Sequence, residues 1–470
     1  MVREKQAKYA SESLFRKRLR KFRSIKRGYY SFIIILTGYI LSFFSPFIMN
    51  NKALIVNYEG KFYFPVLKYY PGSLFGLDIQ GPPNYRELKR LFAHESKGNW
   101  VLMPPYPYGP YESLTDTDPR IQFSDVNDSY ALIANLKSPK DPFTADIKRR
   151  LSPQVREDIA QAPEFLNPPR SLVKKVVAEL NELIKGEVLF DPDLYPAEKL
   201  KRSTRELLGR ETWGTERVRL NRFLLCDLWP GAIVKNRQPP TPPSSSHWFG
   251  TDDRGRDVFV RIAYGFNISL SFSLIVVFIS YLIGVSVGAS LGYFGGRYDI
   301  IMQRFIEIWG SIPFLYTVIV ISSILMPNFA LLVALLCIFS WVGMTYFIRG
   351  EFYREKAKDY VHAAIAMGAS NSRIIFKHIL PNALTPVIAF GPFAVVGGIF
   401  SLLSLDYLGF GLPPPTPSWG ELIGQGMSNI FSYWLVMFPM VALFLTLLMV
   451  VFIGEAVREA FDPREYSRLR

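Results

Sequence analysis

A chain of 470 residues that is 49% apolar and 20% charged has averages close to those of a soluble protein, so the distribution along the chain separates the classes, not the mean. The apolar residues gather into runs of about 20, long enough to cross a hydrocarbon core, which excludes an ordinary soluble globule. The net charge of +14 fits Lys and Arg collecting beside the cytoplasmic ends of spans better than it fits a nucleic-acid binder, and the two distant cysteines, Cys226 and Cys337, exclude a disulfide framework or a CxxC site.

Residues 1–28 carry eleven basic residues, from Arg3 to Arg27, against Glu4 and Glu12 alone. Such a tail stays in the cytoplasm. A nucleic-acid role for it is set aside, because an apolar run from Tyr29 to about Met49 follows at once. That run is too long for a signal-peptide core and no Ala-x-Ala site follows it, so residues 29–49 read as a retained first span. Residues 50–246 are predominantly polar. Alternation in Asn57–Tyr70 predicts a strand pair turning at Glu59-Gly60. The stretch from about 142 to 226 has helical periodicity. In Ser171–Gly186, Leu172, Val176, Leu180 and Leu183 share a face, with Ser171 as N-cap and Gly186 as stop. A Pro/Ser-rich linker, Gln238–Ser246, leads to the next apolar run. No internal repeat is visible.

Residues 247–470 hold five further apolar runs, at about 268–293, 305–326, 329–347, 386–405 and 433–454. The count predicts an all-α membrane protein of six transmembrane helices, with an external α+β domain between the first and second. Charge supports one orientation. The segment between the fourth and fifth runs holds Arg349, Arg354, Lys356, Lys358, Arg373 and Lys377, whereas residues 406–432 hold no Lys or Arg. Both termini and the loop 350–383 are therefore expected in the cytoplasm, and residues 50–246 and 406–432 outside.

The most specific motif is Asp359-Tyr360-Val361-His362-Ala363-Ala364-Ile365-Ala366-Met367-Gly368-Ala369-Ser370, followed by Ile379-Leu380-Pro381-Asn382. Asp359 starts a helix and Ala363 and Ala364 extend it with little bulk. Gly368 ends it in the left-handed conformation. Ser370 or Asn371 caps a second helix that Pro381 stops. The prediction is a short helix–turn–helix across the cytoplasmic mouth, open to the close approach of another protein.

This motif resembles the Glu-Ala-Ala-x-x-x-Gly loop of ATP-binding-cassette import permeases, with its downstream Leu-Pro. Ala363, Ala364, Gly368, Leu380 and Pro381 match it, and His362 stands where the family has Glu. Phe249-Gly250-Thr251-Asp252-Asp253-Arg254-Gly255-Arg256-Asp257, Asp406-Tyr407-Leu408-Gly409-Phe410-Gly411 and Pro417-Ser418-Trp419-Gly420 resemble the C-type subunits of dipeptide and oligopeptide importers. Leu54–Lys68 and Phe452–Pro463 resemble the YejE-type peptide and microcin C permeases among them. The resemblance covers about 24–110 and 245–470 and leaves about 113–237 as an insertion, expected to be an accessory surface whose apolar helix faces need cover. It implies that Asp359, His362, Ala363, Ala364, Gly368, Ala369, Leu380 and Pro381 form the coupling site for a cytoplasmic ATPase. It also implies a second permease subunit, two ATP-binding domains that hold ATP and Mg, an external substrate-binding protein and a peptide substrate in a bacterial inner membrane. The chain itself would hold no cofactor, do no chemistry on substrate and bind no nucleic acid.

Other groups admit two readings each. Glu307 near the inner end of the third run is a pathway candidate or an interfacial partner of Arg304. Gly397, Gly398 and Ser401 line the pathway, or the glycines allow close helix packing. Asp252, Asp253 and Asp257 lack the spacing of a calcium loop and read better as a capped surface helix held by Arg254 or Arg256. His94-Glu95 lacks the second histidine of a zinc-protease helix, and no Gly-x-x-x-x-Gly-Lys-Ser/Thr loop occurs. A proton- or sodium-driven transporter would show inverted repeats and charged midplane residues, and a membrane-anchored enzyme would show a nucleophile–base or metal spacing in 50–246. Neither signature is present.

Overall fold

A computed structural model describes residues 14–77, 79–95, 98–113, 120–123, 133–139, 142–162, 170–184, 221, 224, 232–235 and 239–461. The chain divides into two compact units, one of residues 49–241 with 253–256, the other of the remaining residues.

The second of these begins with α1 (Leu14–Ser24) and α2 (Lys26–Ser42), followed by a short turn of helix at Ser45–Ile48. In the 49–241 unit, β1 (Ile55–Tyr58), β2 (Lys61–Tyr63) and β3 (Trp100–Leu102) form an antiparallel sheet in the order β2-β1-β3. The predicted turn is there: Glu59 and Gly60 both have positive φ, 50° and 77°, which a tight hairpin turn requires. The strands are shorter than predicted, because Val56 pairs with Tyr63 and with Val101 and Pro65 cannot continue the ladder. Helix α3 (Tyr85–Glu95) buries Leu88 and Phe92 against this sheet, beside Val56 and Phe75. Strand β4 (Arg120–Phe123) pairs with β5 (Ala232–Lys235). Between them lie α4 (Pro142–Arg150), α5 (Pro153–Gln161) and α6 (Arg170–Ile184). Helix α6 starts one residue before Ser171, which therefore sits in the first turn; Gly186 lies outside the described residues, as does most of 185–231. Leu136, Ile147, Ile159, Val176 and Leu180 are all fully buried in one cluster. The apolar helix faces thus cover one another.

The membrane unit continues with α7 (Val258–Phe294), α8 (Gly296–Gly310), α9 (Phe314–Ile324), α10 (Phe329–Lys356), α11 (Asp359–Ala366), α12 (Asn371–Tyr407), α13 (Trp419–Ser428) and α14 (Trp434–Phe461). Among the described residues, α7, α10, α12 and α14 are long and apolar enough to cross a membrane, and α8 with α9 makes a fifth candidate, bent by 64°. Two boundaries differ from the sequence reading. The run 305–326 is not one straight helix. Pro313 has no N–H to donate and disfavours helical backbone at Ile312, so the chain turns at Ser311–Pro313. Nor does Pro381 stop a short second helix after Gly368. A π stretch, Ile374–Ile379, precedes it, so Pro381 falls in the first turn of the renewed α-helix, where its missing N–H costs little.

The tightest seam joins α7 to α10. A Cβ added at Gly284, Gly288 or Gly292 would lie 2.7 Å from the Trp341 carbonyl oxygen, 2.6 Å from that of Thr345 and 2.5 Å from Phe352 Cβ. Small residues every fourth position let two backbones approach where no hydrophobic effect drives them together. Gly288→Leu is expected to destabilise this unit by about 1–3 kcal/mol or more, as overpacking does. The readout is a lowered melting temperature in detergent. Gly343→Leu, at a glycine with no atom within 4 Å of the added Cβ, should change little. At the N-terminus, Gly28 packs against Ala456 and Arg27 pairs with Glu455 at 3.1 Å, docking α2 on α14.

Candidate functional site

The motif 359–382 forms a platform at the ends of three long helices. Helix α11 is amphipathic over its two turns. Val361 is buried in a cluster with Tyr293, Phe352, Ile374 and Ile379, and Ala364 is buried too. His362, Ala363, Ile365 and Ala366 are exposed, as are Asp359, Gly368 and Pro381, while Ala369 and Leu380 are half-buried. Met367, just past the helix, is 81% exposed and Phe376 68%. Apolar side chains this open at a polar end of a membrane protein mark a contact surface. Asp359 lies in the first turn, where a carboxylate complements the helix dipole. Gly368 has φ 77°. Its N–H donates to the Ile365 carbonyl at 2.9 Å and that of Ala369 to the Ala364 carbonyl at 3.1 Å. This pair of bonds is the glycine-terminated Schellman stop, and it needs the left-handed residue.

Polar ties hold the platform from behind. Glu355, at the end of α10 and 2% exposed, accepts from Lys358 Nζ at 2.7 Å and from the Tyr360 hydroxyl at 2.8 Å. The Tyr360 hydroxyl also reaches the His378 carbonyl at 3.3 Å and accepts from Asn382 Nδ2 at 3.2 Å. Burial, with the Glu355 carboxylate beside it, raises the Tyr360 phenol above its ordinary pKa, so it stays a neutral donor at physiological pH. Lys356 Nζ donates to the Tyr293 carbonyl at 2.5 Å, closing the C-terminal end of α7, and the Tyr293 hydroxyl donates to Asn371 Oδ1 at 2.7 Å. Arg349 grips Asp299 through two bonds, 2.7 and 2.6 Å, and Tyr353 adds a third at 2.9 Å. The ends of α7, α8, α10 and α12 are thereby joined around α11.

The pathway candidates are not brought together. Glu307 is exposed on α8 and pairs with Arg304 at 2.6 Å. Gly398 faces α7, where an added Cβ would lie 2.4 Å from Ser273 Oγ, whereas Gly397 has no atom within 4 Å of such a Cβ. Ser401 Oγ donates to the Gly397 carbonyl at 2.9 Å. Of the two glycines, Gly398 is a packing residue and Gly397 lies with Ser401 on the open side.

Of the acidic cluster before α7, Asp252 and Asp257 are buried and Asp253 is exposed. Asp257 caps α7 through the Val260 N–H at 3.0 Å and bonds His247 Nδ1 at 2.8 Å. A further cation, Arg261, faces the cluster. It is fully buried and donates to the carbonyls of Pro415 and Thr416 at 3.1 and 3.2 Å and to Glu421, with Asp252 at 3.5 Å. Asp406 accepts from the Leu412 N–H at 2.7 Å and from Ser418 Oγ at 2.5 Å. Gly411 and Gly420 are close-approach positions: a Cβ on Gly420 would sit 2.4 Å from the Leu403 carbonyl oxygen, whereas Gly409 is a turn residue with φ 81°. Among the described residues, no group of three His, Cys, Asp or Glu side chains is placed to hold a metal.

Residues 263–465 match the family model described as the binding-protein-dependent transport system inner membrane component. The peptidoglycan transport system permease protein YejE of Agrobacterium fabrum is 32% identical over 458 residues, 96% of this chain and 94% of that one. The inner membrane ABC transporter permease protein YejE of Escherichia coli is 33% identical, over 95% and 96%. The dipeptide transport system permease protein DppC of Bacillus subtilis is 39% identical over 50% of this chain and 75% of its own. The alignments with the two YejE proteins run over nearly the whole of this chain, whereas that with DppC covers half of it. Among solved structures, a chain of the inward-facing MetNI methionine ABC transporter is similar over 43% of this chain at 16% identity and a TM-score of 0.36, too slight a likeness to build on.

Proposed function

Because the chain belongs to the ATP-binding-cassette peptide importer permeases, the binding-protein-dependent inner membrane components related to YejE, we propose that it is one of two permease subunits enclosing a single translocation pathway. Helices α2, α7, α8 with α9, α10, α12 and α14 supply six spans. Helix α2 has 17 residues, a rise of about 26 Å, and the turn through Ile48 extends it. Both termini and 350–383 face the cytoplasm, and 50–246 and 406–432 face outward, as the Lys/Arg asymmetry favours. A second permease, two ATP-binding domains carrying ATP and Mg, and an external binding protein complete the importer. Its cargo is a peptide of the oligopeptide or microcin C kind. ATP is hydrolysed in the partner domains, and this chain does no chemistry.

The observation that carries the reading is α11: a short helix between two spanning helices, exposing His362, Ala363 and Ile365 outward and tied from behind to both. It would seat in a groove of the ATPase through Asp359, His362, Ala363, Ala364, Gly368 and Ala369, with Leu380 and Pro381 starting the span it moves. Gly397 and Ser401 face the pathway. Residues 113–237, whose described helices have a closed core of their own, help receive the binding protein. Affinity purification of the tagged chain from its native membrane tests this. It should bring down a second permease and an ATP-binding subunit, and vesicles holding the complex should accumulate short peptides only with ATP. Recovery of the chain without an ATPase, or uptake driven by a proton gradient alone, would defeat the reading.

A further inference from the structure

We infer that the Tyr360 hydroxyl is the joint through which α11 moves as one body with the spans on either side of it. The inference rests on the coupling role proposed above and names the residue that performs the transmission. Tyr360 is 37% exposed, but its hydroxyl is engaged within the chain. Its hydroxyl donates to Glu355 at 2.8 Å, on the last turn of α10, and meets the His378 carbonyl at 3.3 Å and Asn382 Nδ2 at 3.2 Å on α12. One atom therefore contacts the helix before α11 and the helix after it. The covalent links alone do not join α11 to the long helices. Ala357 and Lys358 interrupt the helix on one side, and Gly368, in the left-handed conformation, turns the chain on the other.

The contact on α12 falls at a deformable place. His378 lies in the π stretch Ile374–Ile379, where helix register is irregular and a carbonyl is available to a side chain. Asn382 Nδ2 also donates to the His378 carbonyl, at 3.2 Å. A push on α11 thus reaches α12 where that helix can yield, and reaches α10 through a buried carboxylate that cannot turn to water. The apolar packing of Val361 and Ala364 holds α11 in place but has no directionality; the hydroxyl fixes its angle. Tyr360 is a positioning residue, and Glu355, His378 and Asn382 are the surfaces it holds.

The test uses the full importer complex, with Cys226 and Cys337 replaced by alanine and spin labels at two exposed positions, Met367 at the end of α11 and Ile388 on α12. The label distance is measured without nucleotide and after vanadate trapping with ATP. The native joint should give one narrow distance in both states. Tyr360→Phe should keep ATPase association and hydrolysis but lose the fixed distance, broadening and shifting on trapping. Should Tyr360→Phe fail to fold, Glu355→Gln, which keeps an acceptor, should hold the distance and Glu355→Leu should lose it. An unchanged narrow distance in Tyr360→Phe, or a native distance that already differs between states, overturns the joint. A chain that retains no ATPase would instead sink the importer reading, and the nucleotide-free distances of the native and Phe chains would still report on the joint.

Discussion

Gly368→Val is expected to reach the membrane in normal amount and to lose ATP-driven uptake almost completely, while Gly368→Asn keeps most of it. The reason is backbone, not crowding. No atom lies within 4 Å of a Cβ added at Gly368, but its φ is 77°. A β-branched residue resists that conformation, whereas Asn tolerates it. Holding valine there costs about 1–3 kcal/mol, and unwinding the turn is the easier escape. Unwinding breaks the bonds from Gly368 to Ile365 and from Ala369 to Ala364, and so displaces Met367 and the exposed face of α11. Paired uptake and ATPase-association assays read the result. Full uptake by the valine variant would show that the turn is not required.

Arg261→Ala is expected to be the most damaging single change in the membrane unit, at about 3–5 kcal/mol, the cost of breaking a buried ion pair by removing one partner. The guanidinium is fully buried, faces Glu421 and Asp252, and closes the carbonyls of Pro415 and Thr416. Arg261→Lys should recover little, because a single ammonium cannot copy a planar fork spread over several acceptors. Arg261→Met with Glu421→Gln should recover more than either change alone, since it removes both charges of the closest pair. Expression level and melting temperature in detergent measure all three. A silent Arg261→Ala would mean that the cluster is not what holds the start of α7 to α13.

The spanning helices were legible because lipid demands unbroken apolar runs, and no soluble fold writes α7, α10 or α14 in that way. The Gly368 stop was legible because the left-handed residue must be small. The break at Pro313 was not, since the run stays apolar on both sides of it and hydropathy does not register a bend. Continuation of α12 through Pro381 was also hidden. It depends on a π stretch that no residue between Ile374 and Ile379 announces. Arg261 lay four residues beyond the acidic cluster it serves, and its other acceptors, Pro415, Thr416 and Glu421, are more than 150 positions away. Tyr360 stood inside the most specific motif, yet its role depends on the distance to Glu355 and to a backbone carbonyl of another helix, and tertiary packing alone sets those.

Helix α11 is the surface proposed to dock an ATPase. The most direct measurement is a crosslink from a cysteine placed at Met367, 81% exposed at the end of that helix, in the purified complex. With a short thiol–thiol reagent, this position should join to an ATP-binding subunit in high yield, and a cysteine at Pro413, expected on the opposite side of the membrane, should not. An ATPase that co-purifies but crosslinks at Pro413 and never at Met367 would contradict the account.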